Sequence, residues 1–140
     1  MMSPSRCLAI VGLALCVSSG FAQQTRCSDS GAQRAETEAE TLRRWDDLYK
    51  SYTLYRQCDD GAIGEGYSES VARILVDHWK TLPRLAHLAS KDADFRRFVL
   101  KHVDETLNLE DVKRIRANAE NRCPIGLRDL CHDLRKQADF

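Results

Sequence analysis

The sequence has little proline and no excess of charge of either sign. It contains three prolines in 140 residues, and 21 lysines and arginines balance 21 aspartates and glutamates. A chain without net charge has no general attraction for nucleic acid or for anionic lipid. We therefore expect no nucleic-acid partner, and the basic pairs Arg43-Arg44 and Arg96-Arg97 are predicted to lie on solvated helix faces.

Long nonpolar runs are absent beyond the first residues. Arg6 precedes a nonpolar run over residues 7–17, and small residues then lead to Ala22. This order is typical of a secretory signal peptide, and the run is shorter than the roughly 20 residues that a membrane-spanning helix needs. The sequence thus predicts a signal peptide over residues 1–22, cleaved near Ala22. A single domain over residues 23–140, without a membrane span, would then be periplasmic or secreted.

Four of the six cysteines lie beyond the predicted signal peptide: Cys27, Cys58, Cys123 and Cys131. The Cys-x-x-Cys spacing of a zinc site is absent, which favours disulfides over a metal centre. An even number of cysteines in an oxidising compartment predicts two disulfide bonds.

Helix geometry constrains how these cysteines pair. An unbroken helix between Cys27 and Cys58 would hold them far apart, and Cys123 and Cys131 would be about 12 Å apart on one helix. The latter two can pair only if residues 123–126 fold back as a loop. We therefore expect Cys58 to bond to Cys123 or Cys131, with Cys27 bonded to the other if the N-terminal tail folds back.

Nonpolar residues recur at helical spacing through most of the chain, and no alternating strand pattern of useful length is present. One helix is predicted over residues 36–57 with an aromatic stripe, and Ser68 or Ser70, Asp92 and Asn108 can cap later helices. The fold class is predicted to be all-α, a compact, disulfide-stabilised bundle of five or six helices. The stripes comprise Leu42, Trp45, Tyr49, Tyr52 and Tyr55; Val71, Ile74, Leu75, His78, Trp79 and Leu82; Leu85, Leu88 and Ala89; Phe95, Phe98, Val99, His102, Val103 and Thr106; Leu109, Val112, Ile115 and Ala119; and Leu127, Leu130, Cys131 and Leu134.

The stretch CDDGAIGEGYSES, residues 58–70, concentrates glycines, acids and hydroxyls. It lacks the ligand pattern of a calcium loop, the lysine of a phosphate-binding loop and the final glycine of a nucleophile elbow. The glycines are interpreted as a joint that ends one helix and starts the next. As an exposed acidic loop it would also suit recognition. The partner-contact candidates are Asp59, Asp60, Glu65 and Tyr67.

Histidines are the remaining candidates for chemistry. His78 and His102 fall on nonpolar stripes, where a hydrogen-bonded core histidine is the more frequent role. A metal-binding or hydrolytic protein that uses His78, His102 and a nearby carboxylate such as Asp104 is the alternative. No catalytic residue and no cofactor is assigned from the sequence.

The residues GYSESV, leading into a helix, and the C-terminal cysteines resemble small exported all-α bacterial immunity proteins. The stretch RCSDSGAQRAETEAE, residues 26–40, is similar to the N-terminus of exported lysozyme-inhibitor-like proteins, with Ala39 near the place of their second cysteine. The first family binds and blocks toxic effectors such as type VI amidases. These resemblances imply a non-enzymatic periplasmic protein that binds another protein, such as a cell-wall-active enzyme.

Overall fold

The computed structural model describes residues 26–140, so the predicted signal peptide lies outside the described part of the chain. The prediction of an all-α, disulfide-stabilised fold is confirmed for these residues, which form seven α-helices rather than the predicted five or six. None of the described helices is both long and nonpolar enough to cross a membrane. The helices are α1 (Asp29–Ala39), α2 (Trp45–Tyr55), α3 (Gly61–Asp77), α4 (Leu82–Lys91), α5 (Ala93–Lys101), α6 (Leu109–Asn121) and α7 (Arg128–Gln137).

The predicted single helix over residues 36–57 is wrong, because the chain turns between α1 and α2. The two helices form an antiparallel hairpin, which brings Cys27 before α1 beside Cys58 after α2. Their Cα atoms are 4.8 Å apart and their sulfurs are bonded. The turn lets both helices bury their nonpolar faces, with Ala39, Leu42 and Trp45 all in the core.

The second disulfide joins Cys123 to Cys131, so the expected cross-links between the two ends of the chain are also wrong. Residues 123–126 do fold back: Leu127 N–H donates to the Pro124 carbonyl at 3.1 Å, and Gly126 has a φ of +84°. This turn needs a positive φ at its third residue, which glycine adopts without strain. Ile125, its second residue, is fully exposed.

Helix α3 begins earlier than the serine caps predicted. Asp60 is its N-cap residue and accepts a hydrogen bond from Gly61 N–H, while Ser68 and Ser70 lie inside the helix. Only Gly61 of the three glycines in this stretch has a positive φ, of +50°. The joint is therefore confined to the residues around Asp59 and Gly61, and the other two glycines are helical.

Gly66 has a packing role where α3 crosses α1. A Cβ atom at this position would lie 3.1 Å from the Cβ of Ala39 and 3.1 Å from the backbone nitrogen of Glu40. Ser70, one turn later, donates its hydroxyl to the Ala39 carbonyl. Small residues thus let the two helix backbones approach closely.

The later helices begin at the predicted caps and bury most of the predicted stripes, but Thr106 and Leu109 are exposed, which corrects their predicted place on the inner face. Asp92 accepts from Phe95 N–H at the start of α5, and Asn108 accepts from Asp111 N–H at the start of α6. Helix α5 is short and ends at Lys101, so His102 is its C-cap residue. Its aromatic rings pack against those of α2 and α3, with Phe98 5.1 Å from Tyr67 between ring centroids. This packing fixes the end of α5 beside the start of α3.

Disulfide mapping tests the hairpin. Non-reducing proteolysis and mass spectrometry should yield peptides joining Cys27 to Cys58 and Cys123 to Cys131. Replacing the first pair by serine should cost about 1 kcal/mol more unfolding free energy than replacing the second. The first bond spans 31 residues and the second spans 8, and the entropy that a cross-link removes from the unfolded chain grows with loop length. Peptides that link Cys58 to either C-terminal cysteine would contradict the hairpin.

The Gly66→Ala variant tests the close crossing of α1 and α3. Helix propensity alone favours alanine by about 1 kcal/mol. Because the new methyl group meets backbone atoms of a second helix, we expect a net loss on the order of 1–2 kcal/mol in urea unfolding. A gain in stability would show that the helices do not touch here.

Candidate functional site: an acidic cavity at the start of α3

A cavity of about 280 Å³ lies between the start of α3 and the end of α5. We call it the acidic cavity, because four of its ten lining residues are carboxylates. Lys101 and His102 are the basic groups among them. The lining residues are Asp59, Asp60, Gly61, Gly64, Glu65, Ser68, Lys101, His102, Asp104 and Thr106.

His102 joins the two walls of the cavity. Its Nδ1 lies 2.9 Å from the hydroxyl oxygen of Ser68, and its Nε2 lies 3.2 Å from the carboxylate of Asp59. Both the imidazole and Asp59 are buried, with 2% and 9% of their side chains exposed. A buried imidazole needs partners for both nitrogens, and this arrangement supplies them.

Asp104 forms the far wall and is held by its neighbours. Its Oδ1 accepts hydrogen bonds from Thr106, from the amide at 2.8 Å and from the hydroxyl at 2.6 Å. Its Oδ2 lies 3.0 Å from the hydroxyl of Ser68. The loop after α5 is therefore tied to α3 by the same serine that contacts His102.

Charge dominates the site. Burial by itself would raise the pKa of Asp59, but hydrogen bonds from His102 and Lys101 together outweigh it and hold the pKa below its ordinary value. Burial would also raise the pKa of Asp104. Hydrogen bonds from Thr106 and Ser68 outweigh this effect, so the pKa of Asp104 is lowered as well. Four carboxylates and one ammonium group line the cavity, so its net charge is negative whichever protonation state His102 has. Such a cavity attracts cations and repels anions.

Asp59 has an unused acceptor. Lys101 donates to its Oδ2 at 2.8 Å, and the imidazole bond also goes to Oδ2. Oδ1 is buried and has no hydrogen-bond partner among residues 26–140, because the imidazole Nε2, which is 3.2 Å from both oxygens, bonds to Oδ2. A Cβ atom on Gly64 would lie 3.3 Å from this oxygen, which places it against the glycine that lines the cavity.

The hydroxyl, imidazole and carboxylate of Ser68, His102 and Asp59 are the groups of a nucleophilic triad. Here the serine is 2% exposed, and its hydroxyl lies within 3.2 Å of three hydrogen-bonding groups: the Gly64 carbonyl, the His102 imidazole and the Asp104 carboxylate. A nucleophile needs a hydroxyl that donates to the base and faces the substrate. The geometry instead favours a structural network that fixes the cavity walls.

The structure places three of the four predicted contact residues at this cavity. Asp60 and Glu65 are exposed at its rim, and Asp59 forms its buried wall. The prediction of Tyr67 as a contact residue is wrong, because Tyr67 is fully buried and its hydroxyl lies 2.9 Å from that of Ser51. Since residues 61–66 are helical, Tyr67 falls in phase with Val71 on the inner face of α3.

His78 and His102 lie in different cavities. His78 is exposed at the end of α3, which corrects its predicted place on a nonpolar stripe, whereas His102 is a buried, hydrogen-bonded residue as expected. Over residues 26–140, no three histidine, cysteine or acidic side chains are grouped so as to hold a metal ion. The two histidines therefore do not form a common site.

The sequence did not identify Ser68, Lys101 and Thr106 as residues of the site. Ser68 contacts His102, which is 34 residues away in the sequence, and Lys101 contacts Asp59, which is 42 residues away. The one available signal was Asp60-Gly61, since aspartate is a preferred N-cap residue. An α3 starting there would have placed Ser68 two turns inside the helix.

Acid unfolding tests the lowered pKa values. A carboxylate whose pKa is lower when folded contributes stability above its unfolded pKa, near 3.9, and loses it as the pH falls through the folded value. We expect Asp59→Asn to lose about 1–3 kcal/mol at neutral pH, because it breaks hydrogen bonds to charged groups. Below pH 4 its stability should converge on that of the wild type.

The exposed Asp129→Asn variant changes the net charge equally and serves as the control. Urea unfolding at a series of pH values measures all three proteins. A constant difference between Asp59→Asn and the wild type across pH 2–7 would contradict the proposed pairing.

Comparison with known proteins does not place this arrangement in a family. No protein-family model matches the chain. Searches of curated proteins and of solved structures also give no match. A proposal for function therefore depends on the geometry of the acidic cavity.

Proposed function

We propose that the chain is an exported, non-enzymatic helical protein that binds another protein by accepting a lysine or arginine side chain in the acidic cavity. The observation that carries this proposal is the buried carboxylate of Asp59, whose Oδ1 has no donor among the described residues, in a cavity of net negative charge. A guanidinium or ammonium group can donate hydrogen bonds to the carboxylates of the cavity, and its charge offsets theirs.

The cavity has the size and walls that such a guest requires. Its volume of about 280 Å³ can receive one long side chain but not a folded segment. Hydrogen bonds hold the Asp59 and Asp104 side chains in place before binding, so binding costs little side-chain conformational entropy. Asp60 and Glu65 at the rim are exposed and would attract a basic partner from a distance.

Export is supported by the two disulfides, which form and persist in oxidising compartments. The predicted signal peptide is consistent with this location. The resemblance to immunity and inhibitor proteins suggests a cell-wall-active enzyme as the partner. A basic side chain near the active site of that enzyme would then be the group that the cavity holds.

Neutralising the rim should weaken partner binding. In Asp60→Asn combined with Glu65→Gln, we expect roughly tenfold lower affinity, equivalent to about 1.4 kcal/mol, with unchanged helix content. The mature oxidised protein is used to capture partners from periplasmic extract, and the affinity of each captured protein is then measured by calorimetry.

The matched control is Glu69→Gln combined with Glu105→Gln. These acids are exposed and near the cavity but do not line it. The control should bind as the wild type does. If both double variants weaken partner binding equally, the effect is one of net charge. If neither weakens it, the acidic cavity is not part of the interface.

A pair of peptides tests whether the cavity requires a positive charge on the side chain that it binds. In an NMR titration, an acetylated Gly-Arg-Gly amide should shift the amide signals of Gly61, Gly64 and Thr106, whereas the citrulline peptide, which is uncharged, should not. Identical shifts with both peptides would overturn the proposal that the cavity selects a cation.

A further inference from the structure

A second cavity of about 280 Å³ lies at the opposite end of α3, between the start of α2 and the junction of α3 with α4. We call it the arginine cavity. Three arginines face one aspartate there, a net charge of +2 when His78 is neutral. The lining residues are Arg43, Arg44, Trp45, Asp46, His78, Thr81 and Arg84.

Trp45, a lining residue of this cavity, has a hydrogen-bond donor without an acceptor. Its side chain is buried, with the residue 2% exposed, and its indole Nε1 has no partner among residues 26–140. The other tryptophan, Trp79, donates its indole N–H to the Arg122 carbonyl at 2.8 Å. Buried donors are nearly always paired in native proteins, and the described part of the chain supplies no acceptor for this indole N–H.

The start of α2 adds further donors. Its N-cap residue is Arg44, whose side chain has no oxygen and makes no capping bond. The first-turn amides of a helix have no partner within the helix and favour an anion. Asp46 and Asp47 lie in the first turn of α2 and offset part of the positive charge of this helix end, and only Asp46 of the two lines the cavity.

Asp46 shows which chemistry the cavity accepts. Arg84 donates to its carboxylate from Nε at 3.1 Å and from Nη2 at 2.5 Å. These hydrogen bonds lower the pKa of Asp46. Arg44 is 3.8 Å from Asp47 in an exposed pair of small energetic value, so its guanidinium can turn toward a guest.

From these observations we propose that the arginine cavity binds an oxyanion, the phosphate or carboxylate group of a small molecule. Arg43 and Arg44 pair with its oxygens, and the indole N–H of Trp45 donates to one of them. The guanidinium geometry matches both oxyanions. This site is independent of the acidic cavity, because the two share no lining residue.

NMR on the full oxidised protein tests the site through its two indole N–H signals. At constant ionic strength, titration with sodium phosphate or sodium benzoate should shift the Trp45 signal to saturation and leave the Trp79 signal in place. The Trp45→Phe variant serves only to assign the signals. Saturation with phosphate alone would identify a phosphate ligand, and saturation with benzoate alone would identify a carboxylate that carries a nonpolar group.

Two double variants separate this site from general charge effects. Arg43→Gln with Arg44→Gln should weaken binding at least tenfold, whereas Arg34→Gln with Arg128→Gln, which removes the same charge from α1 and α7, should not. The proposal is overturned if neither anion moves the Trp45 signal, if both indole signals drift together without saturation, or if the two double variants bind alike.

Discussion

The buried imidazole of His102 is the interaction on which the geometry of the acidic cavity depends. It is the C-cap residue of a nine-residue helix, and it contacts one residue before α3 and one inside it. An imidazole with 2% exposure cannot remain unpaired at reasonable cost, so Ser68 and Asp59 must stay in position. Packing of α5 against α3 and the polar network therefore support each other.

The chain separates charge of opposite sign onto two surfaces while remaining neutral overall. The acidic cavity lies at the start of α3, and the arginine cavity lies at its end. The composition gives 21 basic and 21 acidic residues and does not reveal this separation of charge. Local electrostatic fields of opposite sign thus occur in a protein that has no large net charge and none of the self-repulsion that such a charge causes.

Much of the fold was predictable because it is encoded locally. The stripes of α4 to α7 and the caps Asp92 and Asn108 follow from spacing and from side-chain oxygens close in sequence. The turn between α1 and α2 is not predicted, because it contains neither glycine nor proline. The incorrect cysteine pairings follow from this omission and from the unpredicted loop at Gly126. The contacts of the candidate site join residues more than 30 positions apart, which periodicity cannot reveal.

The loop between Cys123 and Cys131 has a consequence for how the protein withstands damage. Ile125 projects fully from its turn, and Arg128 follows on an exposed surface, so this is where a protease would find accessible backbone. A cut inside the loop leaves both fragments joined by the sulfur–sulfur bond. The nicked protein keeps α7 covalently attached and packed on α6, so hydrolysis of this one peptide bond does not release the last helix.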